Sequence, residues 1–287
     1  MKVLIIFSFF LFASVKLSAQ KNNDDWNSMV AAEYSFAKSA TEIGTRDAFL
    51  KFIADDGILF RPTPVNGRKF LTDSPGRPGL LSWFPVCAKV SINGRMGFTT
   101  GPADFKKDKD SAAIWFGNFA TVWERQSDGE WKFVIDYGNS CNEQNLSPLE
   151  YSNVLPERKN EHKANNQASP DELFMIDNEF NRNEKNSNYV MIYMQYINEE
   201  SRLLRDGHYP VIGIEKIAGY LREHKGIIKL IPLGGKISSS KDIGFTYGRI
   251  EQVNSNNTEA RYNYFRIYKK DGTRWLIAVE VVGRIEN

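Results

Sequence analysis

The chain has 287 residues, of which 41% are hydrophobic and 25% are charged, the composition of an ordinary globular protein. Its 37 basic residues nearly balance its 35 acidic residues, so it lacks the positive charge typical of nucleic-acid-binding proteins. Aromatic residues make up 13% of the chain and concentrate in strand-like segments, as expected for curved sheets whose concave face is packed or holds a ligand.

Residues 1–19 have the features of a secretory signal peptide. Lys2 precedes an apolar run at residues 3–15, and the small residues that end at Ala19 suit cleavage. The run is too short for a stable membrane span, and no cysteine near the cleavage site could carry a lipid anchor. Cleavage removes Lys2 and Lys16, which lowers the 37 basic residues to 35 against 35 acidic ones. We therefore expect an exported bacterial protein, periplasmic or secreted, that is formally neutral when mature.

The first half predicts helices followed by an antiparallel sheet. Apolar residues at three- and four-residue spacing predict a helix at residues 28–43, with Asn27 or Ser28 as its cap, and a second helix from Thr45. A short strand at residues 58–60 and a small helix at residues 68–71 follow. The remaining pattern predicts four strands, at residues 82–91, 95–101, 112–126 and 131–137. Helices first and a meander afterwards indicate an α+β domain at residues 26–138.

Residues 139–169 are rich in Asn, Glu, Lys and Ser and predict a polar linker. A second domain is expected at residues 170–287. Ser169 and Glu172 predict a capping box at the start of its first helix, and Ser187 predicts the cap of its second. The pattern then predicts a strand at 203–205, a helix at 214–222, and strands at 227–231, 236–238, 243–253, 259–269 and 275–282.

The two halves repeat the same order of elements at an offset of about 145 residues, which is the size of a domain. Residues 96–101 read MGFTTG and residues 243–248 read IGFTYG. Two charges recur as well. Arg61 and Arg205 each end the short strand, and Asp136 and Glu280 hold the same place in the last strand. We therefore predict one fold written twice.

Four stretches of the first half carry a resemblance to a known family: residues 48–57, 59–62, 97–102 and 128–132. With the element order, they resemble the nuclear transport factor 2-like superfamily, which includes ketosteroid isomerases and SnoaL-type polyketide cyclases, and especially its exported bacterial domains of unknown function. The second half matches loosely, because Tyr247 replaces Thr100 and Arg249 replaces Pro102. The resemblance implies two tandem cone-shaped α+β barrel-like domains, each a curved antiparallel sheet packed on N-terminal helices with a pocket at the open end. It sets no activity.

Candidate ligand-binding residues are Arg61, Trp83, Phe98 and Trp115. The aromatic side chains could line a cavity or simply fill the core, and Arg61 could bind an anion or end its strand in solvent. Asp136 is the candidate catalytic residue, since a ketosteroid-isomerase-like site uses a carboxylate as general base. The alternative is that Asp136 points to solvent while its strand neighbours point inward.

The remaining searches for chemistry bear on cysteines, metals and cofactors. Export would permit a disulfide between Cys87 and Cys141, and the alternative is two separate thiols. The histidines His162, His208 and His224 are far apart in sequence and lack metal-ligand spacing. No phosphate loop or dinucleotide motif is present. We therefore expect no metal and no cofactor.

Three functions stay open at this point. The first is an exported protein that binds a small molecule of unknown specificity in a pocket of the first domain. The second is an isomerase- or cyclase-like enzyme that uses a pocket carboxylate as its base. The third is a noncatalytic structural pseudo-dimer in which the two domains pair with each other.

Overall fold

The computed structural model describes residues 4–149, 169–182, 189–224, 227–253 and 259–285. The helices in these ranges are α1 (Leu4–Ile43), α2 (Thr45–Phe52), α3 (Gly67–Asp73), α4 (Asp171–Arg182), α5 (Tyr189–Tyr196) and α6 (Ile214–Glu223). The strands of the first half are β1 (Ile53–Phe60), β2 (Pro64–Asn66), β3 (Leu80–Trp83), β4 (Cys87–Val90), β5 (Met96–Lys106), β6 (Ala113–Arg125) and β7 (Trp131–Ser140). Those of the second half are β8 (Arg202–Arg205), β9 (Val211–Ile212), β10 (Ile227–Ile237), β11 (Ile243–Val253), β12 (Glu259–Asp271) and β13 (Arg274–Arg284).

Each half contains helices and one sheet, so the predicted α+β class is confirmed. The first sheet has the order β2-β1-β7-β6-β5-β3, with β4 also paired to β5. The second has the order β10-β11-β12-β13-β8-β9. In both sheets the short strand after the first helices pairs in parallel with the last strand, and the other pairs are antiparallel. The two halves therefore share one topology.

The sheet registers show which residues occupy the same place in the two halves. Thr121 lies opposite Asp136 in the first sheet, and Arg266 lies opposite Glu280 in the second. Each sheet has a register shift close to this pair, between Val122 and Trp123 in the first sheet and between Ile267 and Tyr268 in the second. Residue 121 is thus the counterpart of residue 266, and residue 136 is the counterpart of residue 280.

Two strand predictions were wrong in opposite ways. The single strand predicted at residues 82–91 is divided into β3 and β4, because Pro85 between them has no N–H to donate to a ladder. The two strands predicted at residues 227–231 and 236–238 form one strand, β10. A register shift between Pro232 and Gly234 lets it continue past the proline.

The helix starts also differ from their predictions. Helix α1 begins at Leu4 rather than near Ser28, whose hydroxyl donates to the Asp25 carbonyl oxygen at 2.9 Å inside the helix instead of capping it. Ser169 accepts from the Asp171 N–H at 3.3 Å, but Glu172 accepts from the Trp275 indole at 2.8 Å and does not complete a capping box. The predicted cap Ser187 lies outside the described residues. Within the described ranges, no helix combines the length and apolarity needed to span a bilayer.

The hydrophobic core has three parts. One lies between the helices and sheet of the first half, and a second lies in the same place in the second half. The third lies between the two sheets and is built from equivalent positions, such as Phe98 with Phe245 and Ile135 with Val279. Fully burying a side chain of this size contributes about 1.5–3 kcal/mol. The face of each sheet that turns away from its own helices is thus buried against the other half.

Polar contacts at the edges of the sheets also join the halves. The Lys236 ammonium lies 2.5 Å from the Glu124 carboxylate, and the Lys89 ammonium lies 3.1 Å from Glu200. The Asp242 carboxylate accepts from the Ile92 N–H at 2.8 Å. These exposed contacts contribute little stability individually, so the apolar interface carries most of the energy.

The last glycine of the repeated motif allows close packing at the equivalent place in each half. A Cβ at Gly101 would collide with the carbonyl oxygen of Phe84, and one at Gly248 would collide with that of Ile231. These carbonyls belong to the neighbouring chain segment in each sheet. The motif therefore reflects a packing requirement of the sheet, as a strand-interior glycine often does.

Candidate functional site

The four predicted ligand-binding residues lie in different surroundings. Arg61 is exposed at the end of β1, and Trp83 is buried in the core of the first half. Phe98 is buried between the two sheets. Trp115 is half-buried on β6 and donates its indole N–H to the Ser140 hydroxyl at 2.9 Å. Trp115 packs against the same core as Trp83, and none of the four residues lines the cleft described below.

The interior of the first half contains a carboxyl group that the sequence analysis missed. Glu33 on α1 is fully buried and accepts hydrogen bonds from the Trp83 indole at 2.5 Å, the Thr99 hydroxyl at 2.5 Å and the Trp123 indole at 3.0 Å. Burial raises the pKa of Glu33 to about 7, although the three donors oppose that rise. The repeat could have revealed it, because Asp177 holds the corresponding place three residues before Phe180.

Asp136 lies close enough to Glu33 for its charge to raise the pKa of Glu33 further. It is half-buried on β7, and its carboxylate accepts from the buried Thr121 hydroxyl at 2.6 Å, so it is not a fully solvated acid. Burial raises the pKa of Asp136 to about 6, while the Thr121 hydrogen bond and the positive charge of Arg61 lower it. Glu33 and Asp136 are thus two carboxyl groups that change charge near neutral pH.

The corresponding interior of the second half is filled by compensated charges. Glu280 is buried and contacts the guanidinium groups of Arg266 and Arg205, and the Tyr193 hydroxyl donates to it at 2.8 Å. Burial alone would raise the pKa of Glu280, but the charges of Arg266 and Arg205 outweigh it and lower the pKa to about 2. Glu280 therefore stays ionised across the physiological range.

Asp177 completes this network on the helix side. It is fully buried and accepts from Arg266 Nη1 at 2.8 Å, from the Tyr268 hydroxyl at 2.7 Å and from the Tyr264 hydroxyl at 3.0 Å. The Arg266 guanidinium also lies over the Phe180 ring, 4.0 Å from its centroid. Two cations and two anions balance, which makes this interior a structural core.

A cleft of about 650 Å³ lies where the two halves meet. The first half contributes the segment before β4, residues of β5 and β6, and the segment 143–146. The second half contributes β8, β9 and the turn between them. The lining residues are Val86, Thr100, Gly101, Asn118, Glu143, Gln144, Asn145, Leu146, Arg202, Leu204, Tyr209, Pro210 and Ile212.

Larger side chains close the equivalent position on the other side of the junction. Thr100 of the cleft corresponds to Tyr247, and Leu204 corresponds to Phe60. The Phe60 ring stacks on Tyr137 at a centroid distance of 4.0 Å and meets the Tyr247 ring at 6.3 Å. Smaller residues at these positions therefore account for the space on the cleft side.

The cysteines and histidines are also placed by the fold. Cys87 and Cys141 are free thiols. His208 and His224, which are distant in sequence, bring their rings to a centroid distance of 5.1 Å, whereas His162 lies outside the described residues. Among the residues that the structure covers, no group of three or more His, Cys, Asp or Glu side chains could hold a metal ion.

No family model matches the chain, and no curated protein matches it. Several solved structures are similar to parts of the chain. An NTF-2 like protein of unknown function from Shewanella oneidensis is 19% identical over 39% of this chain and 97% of its own, with a TM-score of 0.35. An NTF2-like protein from Cytophaga hutchinsonii is 13% identical over 42% and 100%, with a TM-score of 0.35. A ketosteroid isomerase-like protein from Erwinia carotovora atroseptica is 16% identical over 40% and 92%, with a TM-score of 0.31. These similar structures carry the names of the nuclear transport factor 2-like superfamily, the group that the sequence motifs of the first half resemble.

Proposed function

We propose that this protein binds a small, partly apolar molecule in the cleft between its two halves. The observation that carries the proposal is the cleft itself, about 650 Å³ in volume, with apolar side chains and a few polar groups on its walls. Its first-half wall includes Thr100 and Gly101 of the repeated motif. The signal-like residues 1–19 support export, so the ligand would be met outside the cytoplasm.

The interiors of the two cones are less suitable for a ligand. Aromatic side chains fill the first, where Phe36 lies 4.7 Å from Trp83 and 5.3 Å from Phe133 between ring centroids. The salt-bridge network around Arg266 fills the second. A ligand in either place would have to displace packed core residues, whereas the cleft needs no such displacement.

Thermal-shift screening of the mature protein against a metabolite panel tests this function. A ligand that prefers the folded state stabilises it, by about 2.7 kcal/mol when its concentration is 100 times Kd. Ile212→Trp fills the cleft and should abolish the shift. Ile114→Trp, at a residue that is 58% exposed and outside the cleft, is the matched control and should preserve it.

A second variant that fills the cleft keeps the test valid if Ile212→Trp fails to fold. Thr100→Tyr installs the side chain that Tyr247 supplies on the closed side, and it should abolish the same thermal shift. A compound that still raises the melting temperature of both variants must bind outside the cleft. If a broad panel produced no shift, the protein would be better described as a structural pseudo-dimer, which the apolar interface between the sheets supports.

An enzymatic function is the second candidate, and Asp136 is the observation that favours it. Its pKa of about 6 and its partial exposure suit a general base, whereas the buried Glu280 is held ionised by two arginines. The assay would measure the exchange of an acidic C–H proton of a ketone ligand for deuterium from D₂O. Exchange that is lost in Asp136→Asn but kept in Ile212→Trp would favour an enzyme acting from the first half alone.

A further inference from the structure

We infer that the molecule bound in the cleft carries a carboxylate, which Asn118 and Arg202 hold from the two halves of the chain. This inference rests on the proposed binding function. It adds the chemical class of the ligand and the two side chains that would recognise it.

Asn118 offers a buried donor that the protein leaves unused. Only 2% of the residue is exposed, and it lines the cleft from β6. Its Oδ1 accepts from Gln144 Nε2 at 2.7 Å, but its Nδ2 has no hydrogen-bond partner. The Asn118 side chain interacts with the Cys141 thiol, but sulfur is a weak acceptor. A buried donor without a partner costs about 1–3 kcal/mol, which a ligand oxygen would recover.

The repeat shows what this amide does when its partner is present. Asn263 is the counterpart of Asn118 on the closed side of the junction. Its Nδ2 donates across the junction to the Pro62 carbonyl oxygen at 2.6 Å. The Asn263 amide thus binds an oxygen of the opposite half. We expect the Asn118 amide to bind an acceptor of the same kind, supplied by a ligand in the open cleft.

Arg202 supplies the positive charge. It lines the cleft from β8 and is half-buried, and its Nε has no hydrogen-bond partner. The nearby Glu200 feels this charge, but its carboxylate lies 3.1 Å from the Lys89 ammonium. The other charged residue of the lining, Glu143, is exposed on the segment after β7 and can remain solvated.

The Arg202 guanidinium and the Asn118 amide favour a carboxylate over other ligand groups. A carboxylate has two acceptor oxygens and a negative charge, so it can accept from the guanidinium and the amide together. A neutral carbonyl satisfies the donors with no charge attraction, and an ammonium group supplies no acceptor for either. The apolar lining residues, such as Leu204 and Ile212, fit the hydrocarbon body of the ligand.

The test uses the mature full-length protein and a panel in which each apolar body is offered as carboxylate, amide, alcohol and amine, for example octanoate, octanamide, octanol and octylamine. Affinities are measured by calorimetry. Arg202→Gln should weaken carboxylates about 10- to 100-fold and change the alcohols little. Asn118→Asp keeps Oδ1 and replaces the donor by an acceptor, so it should also disfavour carboxylates. Arg249→Gln, at an exposed arginine outside the cleft, is the matched control.

The possible results separate the two levels of the claim. Carboxylate preference that disappears in Arg202→Gln and persists in Arg249→Gln supports the inference. Binding that Ile212→Trp abolishes, but that shows no carboxylate preference or the same preference in Arg202→Gln, overturns the inference and leaves the proposed function standing. Absence of any binding that depends on Ile212 overturns both.

Discussion

Replacing Arg266 by methionine should destabilise the second half severely. The guanidinium of Arg266 is 1% exposed and bridges two buried carboxylates, Asp177 and Glu280. Methionine fills much of the same volume, so the change removes the charge and the hydrogen bonds while leaving little cavity. Removal of one partner from a buried ion pair costs about 3–5 kcal/mol, because an uncompensated charge stays in the core. Arg205 still faces Glu280, but Asp177 keeps only tyrosine hydroxyls as donors.

The pH dependence distinguishes this cause from a simple packing defect. Because the folded-state pKa of Glu280 is lowered from 4.5 to about 2, its contribution to stability is present above about pH 4.5 and is lost as the pH falls toward 2. Without Arg266 that pKa rises, so Glu280 accepts a proton at a higher pH than in the wild type. The deficit of Arg266→Met should therefore be largest near pH 7 and smaller near pH 4.

Chemical denaturation at a series of pH values measures the free energy of unfolding for each variant. Arg249→Met, at an exposed arginine, is the control and should stay within about 0.5 kcal/mol of the wild type. Adding Asp177→Asn to Arg266→Met removes the stranded charge, while Arg205 still balances Glu280, so part of the stability should be restored. A deficit below about 1 kcal/mol at pH 7, or one independent of pH, would refute the reasoning.

Two further predictions concern the first half and the repeated glycines. Burial raises the folded-state pKa of Glu33 from 4.5 to about 7, so wild-type stability should fall by up to about 3 kcal/mol as the pH rises from about 4.5 through 7. Glu33→Gln should lack this slope, and a constant difference from the wild type across pH would contradict the prediction. Gly101→Ala and Gly248→Ala should each cost about 1–3 kcal/mol in denaturant unfolding, because the added Cβ meets a carbonyl oxygen. Gly219→Ala in α6, with no atom within 4 Å, should be neutral or stabilising by about 0.5–1 kcal/mol, and equal effects at all three sites would count against the packing argument.

Much of the fold could be predicted from the sequence because its signals are local. Strand–turn patterns such as the one at Gly129 and the apolar stripe that includes Phe36 identify the elements without tertiary information. The two strand errors arose because a proline inside a predicted strand can have either of two effects. Pro85 divides a predicted strand, whereas Pro232 lies beside a register shift inside a continuous strand, and only the neighbouring strand decides between them.

The site could not be predicted in the same way, because it depends on which residues meet across the chain. The sequence could single out Asp136 as a candidate, but its neighbour Thr121 and the buried Glu33 become relevant only when the sheet closes on α1. The cleft involves Asn118 and Arg202, which are 84 residues apart in number and lie in different halves. Nothing in either local sequence indicates that the other residue will be near it.

Covalent joining of the two halves explains how one junction can be open while its counterpart is closed. In a dimer of identical chains, both junctions would carry the same residues, so any substitution that opened one would open the other. Here Thr100 and Tyr247 differ independently, as do Leu204 and Phe60. The aromatic residues on one side strengthen the pairing of the halves, while the smaller residues on the other side leave space without weakening that support. The duplicated chain can therefore combine an apolar internal interface with a cleft at one junction and larger side chains at the other, which a symmetric dimer of identical chains could not do.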